Sequence, residues 1–230
     1  MTEYSLAMAA TIKVDLGRIQ HEATALANRH GLDGLSMSDL ADALNVRTPS
    51  LYSHVAGIGD VRRILALHGL AELERGASRA TIGKSGPDAV RALLNEYRDF
   101  VRKNPGVYAA TLPTPPREDA EWSGAVGRLT ETCVAALHGY GLGGPEAIHA
   151  LRGLRSLVHG FASLEAAGAL KHPVDRDESF AWLVDSFVAA LEQMAAQPRQ
   201  RRRQGGKNEN GKPSSRTAQS ARHGRGARRV

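Results

Sequence analysis

The residues best suited to chemistry lie in the run LSMSDLADALNVRTPSLYSHV, residues 35–55. Leu40 and Leu44 stand four apart, as do Leu51 and Val55, with Val46 between the pairs. Spacing of four puts each pair on one helix face. The pattern predicts two helices of about two turns each, joined by a turn of about three or four residues, which is the size of a helix-turn-helix. Ala41 falls where such helices cross, and its small side chain permits close approach. Asn45 falls at the turn, where the backbone must become left-handed and asparagine is the most tolerant residue after glycine. The second helix would then expose Thr48, Pro49, Ser50, Tyr52, Ser53 and His54. Hydroxyls and an imidazole in that array are able to reach base edges or phosphates. A plainer role stands beside each: Tyr52 as a packing residue, Ser50 as a surface hydroxyl, His54 as a helix C-terminal cap.

Other motifs carry less. Residues 139–144, GYGLGG, satisfy the dinucleotide-binding pattern G-x-G-x-x-G. That chemistry needs a preceding strand and a βαβ unit, and here helices flank the run, so it reads as a helix–helix turn. No G-x-S-x-G, phosphate-loop lysine motif or H-E-x-x-H occurs. The histidines lack ligand spacing and one cysteine cannot form a thiolate zinc site, so neither a metal nor another cofactor is expected. Glu72/Glu74 and Asp175/Asp177 read as solvated or capping charges rather than acid–base pairs.

The elements that must position these residues are helical nearly throughout. Alanine and leucine dominate, and Val, Ile and Thr never gather into period-two strands. Breakers and caps predict helices over about 13–30, ending at Gly31; 38–45, capped by Ser36 or Ser38; a short one opened by Thr48 as cap and Pro49; and 58–80. Further helices are expected from Ser85-Gly86-Pro87 to Lys103, stopped by Asn104-Pro105; and over about 105–112, 117–139, 145–168 and 176–196. The chain is long enough for one large domain or two small ones. It has no apolar run long enough to span a membrane. Its only cysteine, Cys133, excludes a disulfide framework and points to a reducing compartment, the cytoplasm.

The net charge of +6 is a property of the tail. Residues 197–230 hold eleven Lys/Arg against Glu209 alone, whereas residues 1–196 carry a net −4. The tail lacks large apolar side chains and periodicity, so it is expected to be disordered. It reads as a solvated extension; a basic arm of this kind is also able to touch DNA phosphates.

The segment 12–67 resembles the TetR family of bacterial transcription regulators. The resemblance rests on an amphipathic helix ending His30-Gly31-Leu32, on LSMSDLA, and on VRTPSLYSHV. It implies an all-α protein: a three-helix DNA-binding domain with a helix-turn-helix at 12–57, a helical bundle for ligand binding and dimerisation at 58–196, and the tail at 197–230. It further implies that Thr48, Pro49 and Ser50 meet the major groove, and that Tyr52 and His54 contact phosphates. Ser38 would touch DNA from the preceding helix, and Arg47 would add a charged contact. Where the family usually opens its fourth helix with a phosphate-contacting lysine, this chain has Ile58, and residues 12–80 are electrically neutral.

Residues 94–110 and 154–168 resemble the regulatory domain of a TetR subgroup named for a Trp-His-Gly string, here Val158-His159-Gly160. That implies an effector-binding and dimerisation domain. Independently, Ile148, Leu151, Leu154, Val158 and Phe161 recur at spacings of three and four, as do Phe180, Leu183, Phe187, Leu191 and Met194. Two such helices are able to form half of a four-helix dimer interface, or to face the chain's own core. Tyr97, Tyr108, Trp122, His138 and His159 are the polar candidates for a pocket. The expected partners are double-stranded DNA with a palindromic operator, a small-molecule effector and a second copy of the chain. The competing reading is a small all-helical ligand carrier or enzyme whose function lies in the C-terminal bundle.

Overall fold

The computed structural model describes residues 14–197, and the expectations for the basic tail lie outside the described residues. Every regular element among the described residues is helical. Helix α1 (Leu16–His30) starts where the Asp15 carboxylate accepts the Arg18 N–H at 2.9 Å and stops at Gly31, φ 79°. It buries Ile19, Ala23 and Ala27. Helix α2 (Met37–Ala43) is capped by Ser36, whose hydroxyl accepts from the Asp39 N–H, so Ser36 and not Ser38 is the cap. Helix α3 (Thr48–Leu51) is a single turn, shorter than the two turns expected. Thr48 is its first residue and makes no capping bond, because Arg47 occupies the cap position.

Helix α4 (Ile58–Thr81) is the longest element and packs against α1, α5, α6 and α7. Helix α5 (Gly86–Lys103) carries Asp88 in its first turn and Arg102 and Lys103 in its last, each favoured by the helix dipole. Asn104-Pro105 ends it and starts α6 (Pro105–Ala110). Helix α7 (Ala120–Leu137) begins later than residue 117, because Asp119 caps it by accepting the Trp122 N–H at 3.0 Å. Arg63 of α4 holds the same carboxylate and, with that N–H, lowers its pKa to about 2. Residues 138–140 tighten into a 3₁₀ turn, and α8 (Pro145–Ala166) and α9 (Arg176–Ala196) follow.

Residues 14–195 form one compact unit, and the core runs without a break from Ile19 in α1 to Leu191 in α9. Residues on both sides of positions 57 and 58 belong to this one core. In the two apolar stripes, Leu154, Val158, Phe180 and Leu191 belong to that core. Ile148 and Met194 are exposed, and Leu151, Phe161, Leu183 and Phe187 are half-buried.

Candidate DNA interface and internal cavity

The segment 36–55 is held rigidly from below. Leu40, Ala41 and Leu51 are fully buried, and Leu44 and Val55 nearly so. Asn45 takes φ 54°, alone among the described non-glycine residues in having positive φ. That left-handed step lets the Asn45 N–H reach the Asp42 carbonyl and the Val46 N–H reach the Ala41 carbonyl, both at 3.0 Å. The chain reverses there and sets α3 across α2.

On this base Ser38, Arg47, Pro49, Ser50, Tyr52 and His54 are all exposed, and Thr48 is half-buried. Tyr52 presents 55% of its surface, which excludes the packing role. Ser53 is oriented locally, its hydroxyl donating to the Ser50 carbonyl at 2.7 Å. Ile58 packs partly against the core. The nearby cations of α4 are occupied: Arg63 pairs with Asp119 and Glu121, and Arg62 donates to the Leu32 carbonyl and approaches Asp33. Arg47 is thus the one cation of the seven predicted DNA contacts.

A second feature lies inside the bundle. Leu70 and Leu73 of α4, Leu93 and Tyr97 of α5, Val126, Leu129, Thr130 and Cys133 of α7, and Leu151, Leu154 and Arg155 of α8 surround a cavity of about 80 Å³, with Thr111 completing the wall. Tyr97 meets Tyr108 edge-to-face, ring centroids 5.9 Å apart. The Tyr108 hydroxyl lies 3.0 Å from His159 Nδ1. Burial pushes the Cys133 thiol up to about 12 and holds the Tyr97 hydroxyl well above the usual phenol range. Of the five predicted pocket residues, the structure brings together Tyr97, Tyr108 and His159. Trp122 is buried outside the cavity wall, and His138 is exposed in the 3₁₀ turn after α7. Arg155, Thr130 and Cys133 were missed. Arg155 follows Leu154 in sequence, and its position four residues after Leu151 was the signal available.

Two joints connect cavity and reading segment. Helix α4 supplies a wall of the cavity and also touches α1, where Gln20 Nε2 and His68 Nδ1 are 3.0 Å apart. Helix α6 is wedged between α1 and α4. The Asn28 side chain of α1 accepts the N–H groups of Gly106 and Val107, at 3.0 and 3.2 Å, and donates to the Asn104 side chain. Gly106 lies so close to α1 that a Cβ there would come within 2.0 Å of the Ala27 carbonyl oxygen. Gly69 of α4 approaches the other side, where a Cβ would meet Thr111 and Val107 at 2.7 and 2.8 Å. Polar expectations based on periodicity missed this joint.

Arg98 is the buried cation of the bundle, 5% exposed. It forks onto Glu165 of α8, pairs with Asp177 of α9 at 2.8 Å, and lies over the rings of Phe161 and Phe180. Asp175 caps α9 by accepting from the Asp177 and Glu178 N–H groups. Asp177 is therefore an ion-pair partner, and Asp175 the capping charge.

A helix-turn-helix on a rigid base, continuous with a helical bundle that encloses a cavity, is the architecture of a DNA-binding regulator. Residues 19–55 match the family described as bacterial regulatory proteins, tetR family, and residues 90–187 match the tetracyclin repressor-like C-terminal domain. An uncharacterized HTH-type transcriptional regulator of Bacillus subtilis, YobS, is 34% identical over 169 residues, covering 74% of this chain and 88% of its own. A second such regulator, Rv0681 of Mycobacterium tuberculosis, is 30% identical over 186 residues, covering 80% and 85%. Among solved structures, a TetR variant from Acinetobacter baumannii AYE in complex with minocycline superposes with TM-score 0.62 at 25% identity, over 80% of this chain and all of that one. The chain belongs to the TetR family and is a DNA-binding transcriptional regulator. No described helix is long and apolar enough to cross a membrane.

Proposed function

We propose that the chain acts in the cytoplasm as a dimeric repressor that grips a palindromic operator and releases it when a small effector enters the cavity. The observation that carries this reading is that Leu70 and Leu73 of α4 form part of the cavity wall, while the same helix begins directly after the reading segment. An engineered cavity of about 150 Å³ accommodates benzene. The space here is about half that, so even a small guest must push its walls apart. Displacement of α4 would carry α1–α3 with it, and α6 would transmit the same push through Asn28. In a two-fold dimer the recognition segments must sit about 34–36 Å apart to enter successive major grooves, so a small rotation of each is enough to lose the site.

Thr48, Pro49 and Ser50 are assigned to base edges, Tyr52, His54, Ser38 and Arg47 to the backbone. The minocycline complex of the Acinetobacter relative supports a small-molecule effector in principle. The dimer is supported by exposed apolar side chains on the last two helices: Ile148, Leu164, Trp182 and Met194, with Trp182 72% exposed. A mobility-shift titration against the DNA upstream of the chain's own gene tests the reading. A specific complex containing two chains, with its sequence preference altered by Thr48→Ala, is expected. Equal affinity for that DNA and for unrelated duplex would overturn it, and would return the carrier or enzyme alternative to first place.

A further inference from the structure

We propose that the effector is an amphipathic organic anion, its apolar body in the cavity and its carboxylate on the Arg155 guanidinium. The inference rests on the reading of the cavity as the effector site and adds the chemical class of the ligand.

The wall is aliphatic apart from Tyr97, Thr111, Thr130, Cys133 and Arg155, and no Asp or Glu lines it. Arg155 is the only charged side chain there. Among the described residues it has no carboxylate partner, whereas Arg63, Arg91 and Arg98 of the same bundle are each paired. Arg155 is also exposed at the residue level, so it stands at the mouth of the cavity and a ligand carboxylate can reach it without full desolvation. Its planar fork of donors suits two carboxylate oxygens.

The groups around it bring no opposing charge: the Tyr108 hydroxyl hydrogen-bonds the guanidinium as a neutral partner and leaves its charge unpaired. Burial raises Tyr97, Tyr108 and Cys133, and although the Arg155 charge pulls each of them back, all three keep their protons at neutral pH. Glu96 lines a separate space of about 10 Å³ that shares Tyr97 and Cys133 with the cavity, and its side chain lies over Gly76 of α4. A cationic guest would thus place its charge beside Arg155 with no acid lining the main cavity to offset it. A neutral guest would leave the guanidinium to water. The small volume sets the body at about one ring or a short chain.

The test is calorimetric titration of the full chain with hexanoate, hexan-1-ol and hexylamine, repeated on Arg155→Gln and Arg155→Lys. Hexanoate is expected to bind at least about tenfold tighter than the alcohol, with the amine weakest. Arg155→Gln should remove that preference and leave the alcohol unchanged, and Arg155→Lys should keep part of it. An unchanged melting temperature and operator affinity for Arg155→Gln establish that the loss is local. If the alcohol or the amine binds as tightly as hexanoate, or Arg155→Gln leaves hexanoate binding intact, the ligand class is wrong while the cavity remains the effector site. If none of the three binds, the ligand class is overturned too. The cavity reading itself then stands or falls on whether filling the space covalently at Cys133 releases operator.

Discussion

Leu40, Ala41 and Leu51 sit under the reading segment with no accessible surface, while Leu73, Leu93 and Leu154, also buried, face about 80 Å³ of empty space. Both regions are apolar cores of the same continuous cluster. The first is filled and locked by a left-handed Asn45, so it presents one surface. The second lacks atoms in its middle, so its walls have partners on one side only and can be moved at low cost. A reader of DNA needs the first property and a receiver of ligands the second. The joint between them has the character of the reader: Gly106 against Ala27, and Asn28 bonded to two backbone N–H groups. A signal that starts in the soft region therefore reaches α1 through a stiff one.

The largest effect should come from the joint. Gly106→Ala puts a methyl where the Ala27 carbonyl already lies. Overpacking against backbone should cost about 3 kcal/mol. The melting temperature followed by circular dichroism should fall by roughly 6–12 °C. A variant that melts like the parent would show the joint to be as compliant as the cavity.

The contrast between the two cores is sharpened by adding volume to each. Ala41→Leu should destabilise by about 1–3 kcal/mol, because no space adjoins a residue with no exposure between crossing helices. Cys133→Leu adds atoms into the cavity and should be neutral or stabilising by about 0.5–1 kcal/mol. Urea denaturation of both variants decides this, and equal destabilisation would remove the distinction.

The smallest effects belong to the DNA surface and are invisible to stability. Tyr52→Phe deletes one exposed hydroxyl and should leave the melting temperature unchanged, while weakening binding to all duplexes alike by about 1 kcal/mol. Thr48→Ala or Ser50→Ala should instead change which base pair is preferred, by about 1–3 kcal/mol at one position. Competition binding against operator variants separates these outcomes.

The fold was legible because its boundaries are local events. Gly31, Asn104-Pro105 and Pro145 stop or start helices by backbone chemistry that needs no tertiary information, and the structure places helix ends at each. Asn45 was legible for the same reason. At the start of α7 a tertiary partner contributed: Asp119, the cap, is held by Arg63 from fifty-six residues away. The exposed reading residues followed from a four-residue apolar period, because polarity on the far face is set by the same period. The cavity did not follow. A missing volume is a sum over five separate stretches of chain, and no single stretch encodes it. Arg155 looks like any surface cation until Tyr97, Tyr108 and Cys133 are placed beside it. His138 and Trp122 have the right chemistry for a pocket, but one projects outward at a helix end and the other packs beside the cavity rather than into it.

The central claim, that the volume of the cavity governs the hold on DNA, can be tested through the chain's only cysteine, Cys133. Burial suppresses the thiolate, so excess benzyl methanethiosulfonate is applied at alkaline pH; it forms a mixed disulfide there with loss of methanesulfinate and adds a ring to the cavity. Operator affinity is measured by fluorescence anisotropy as modification, followed by mass, goes to completion, and again after reduction. Affinity should fall at least about fivefold in step with modification and return when the benzyl group is removed, with Cys133→Ala protein unaffected by the reagent. Fully modified protein that holds operator as tightly as before would contradict the account.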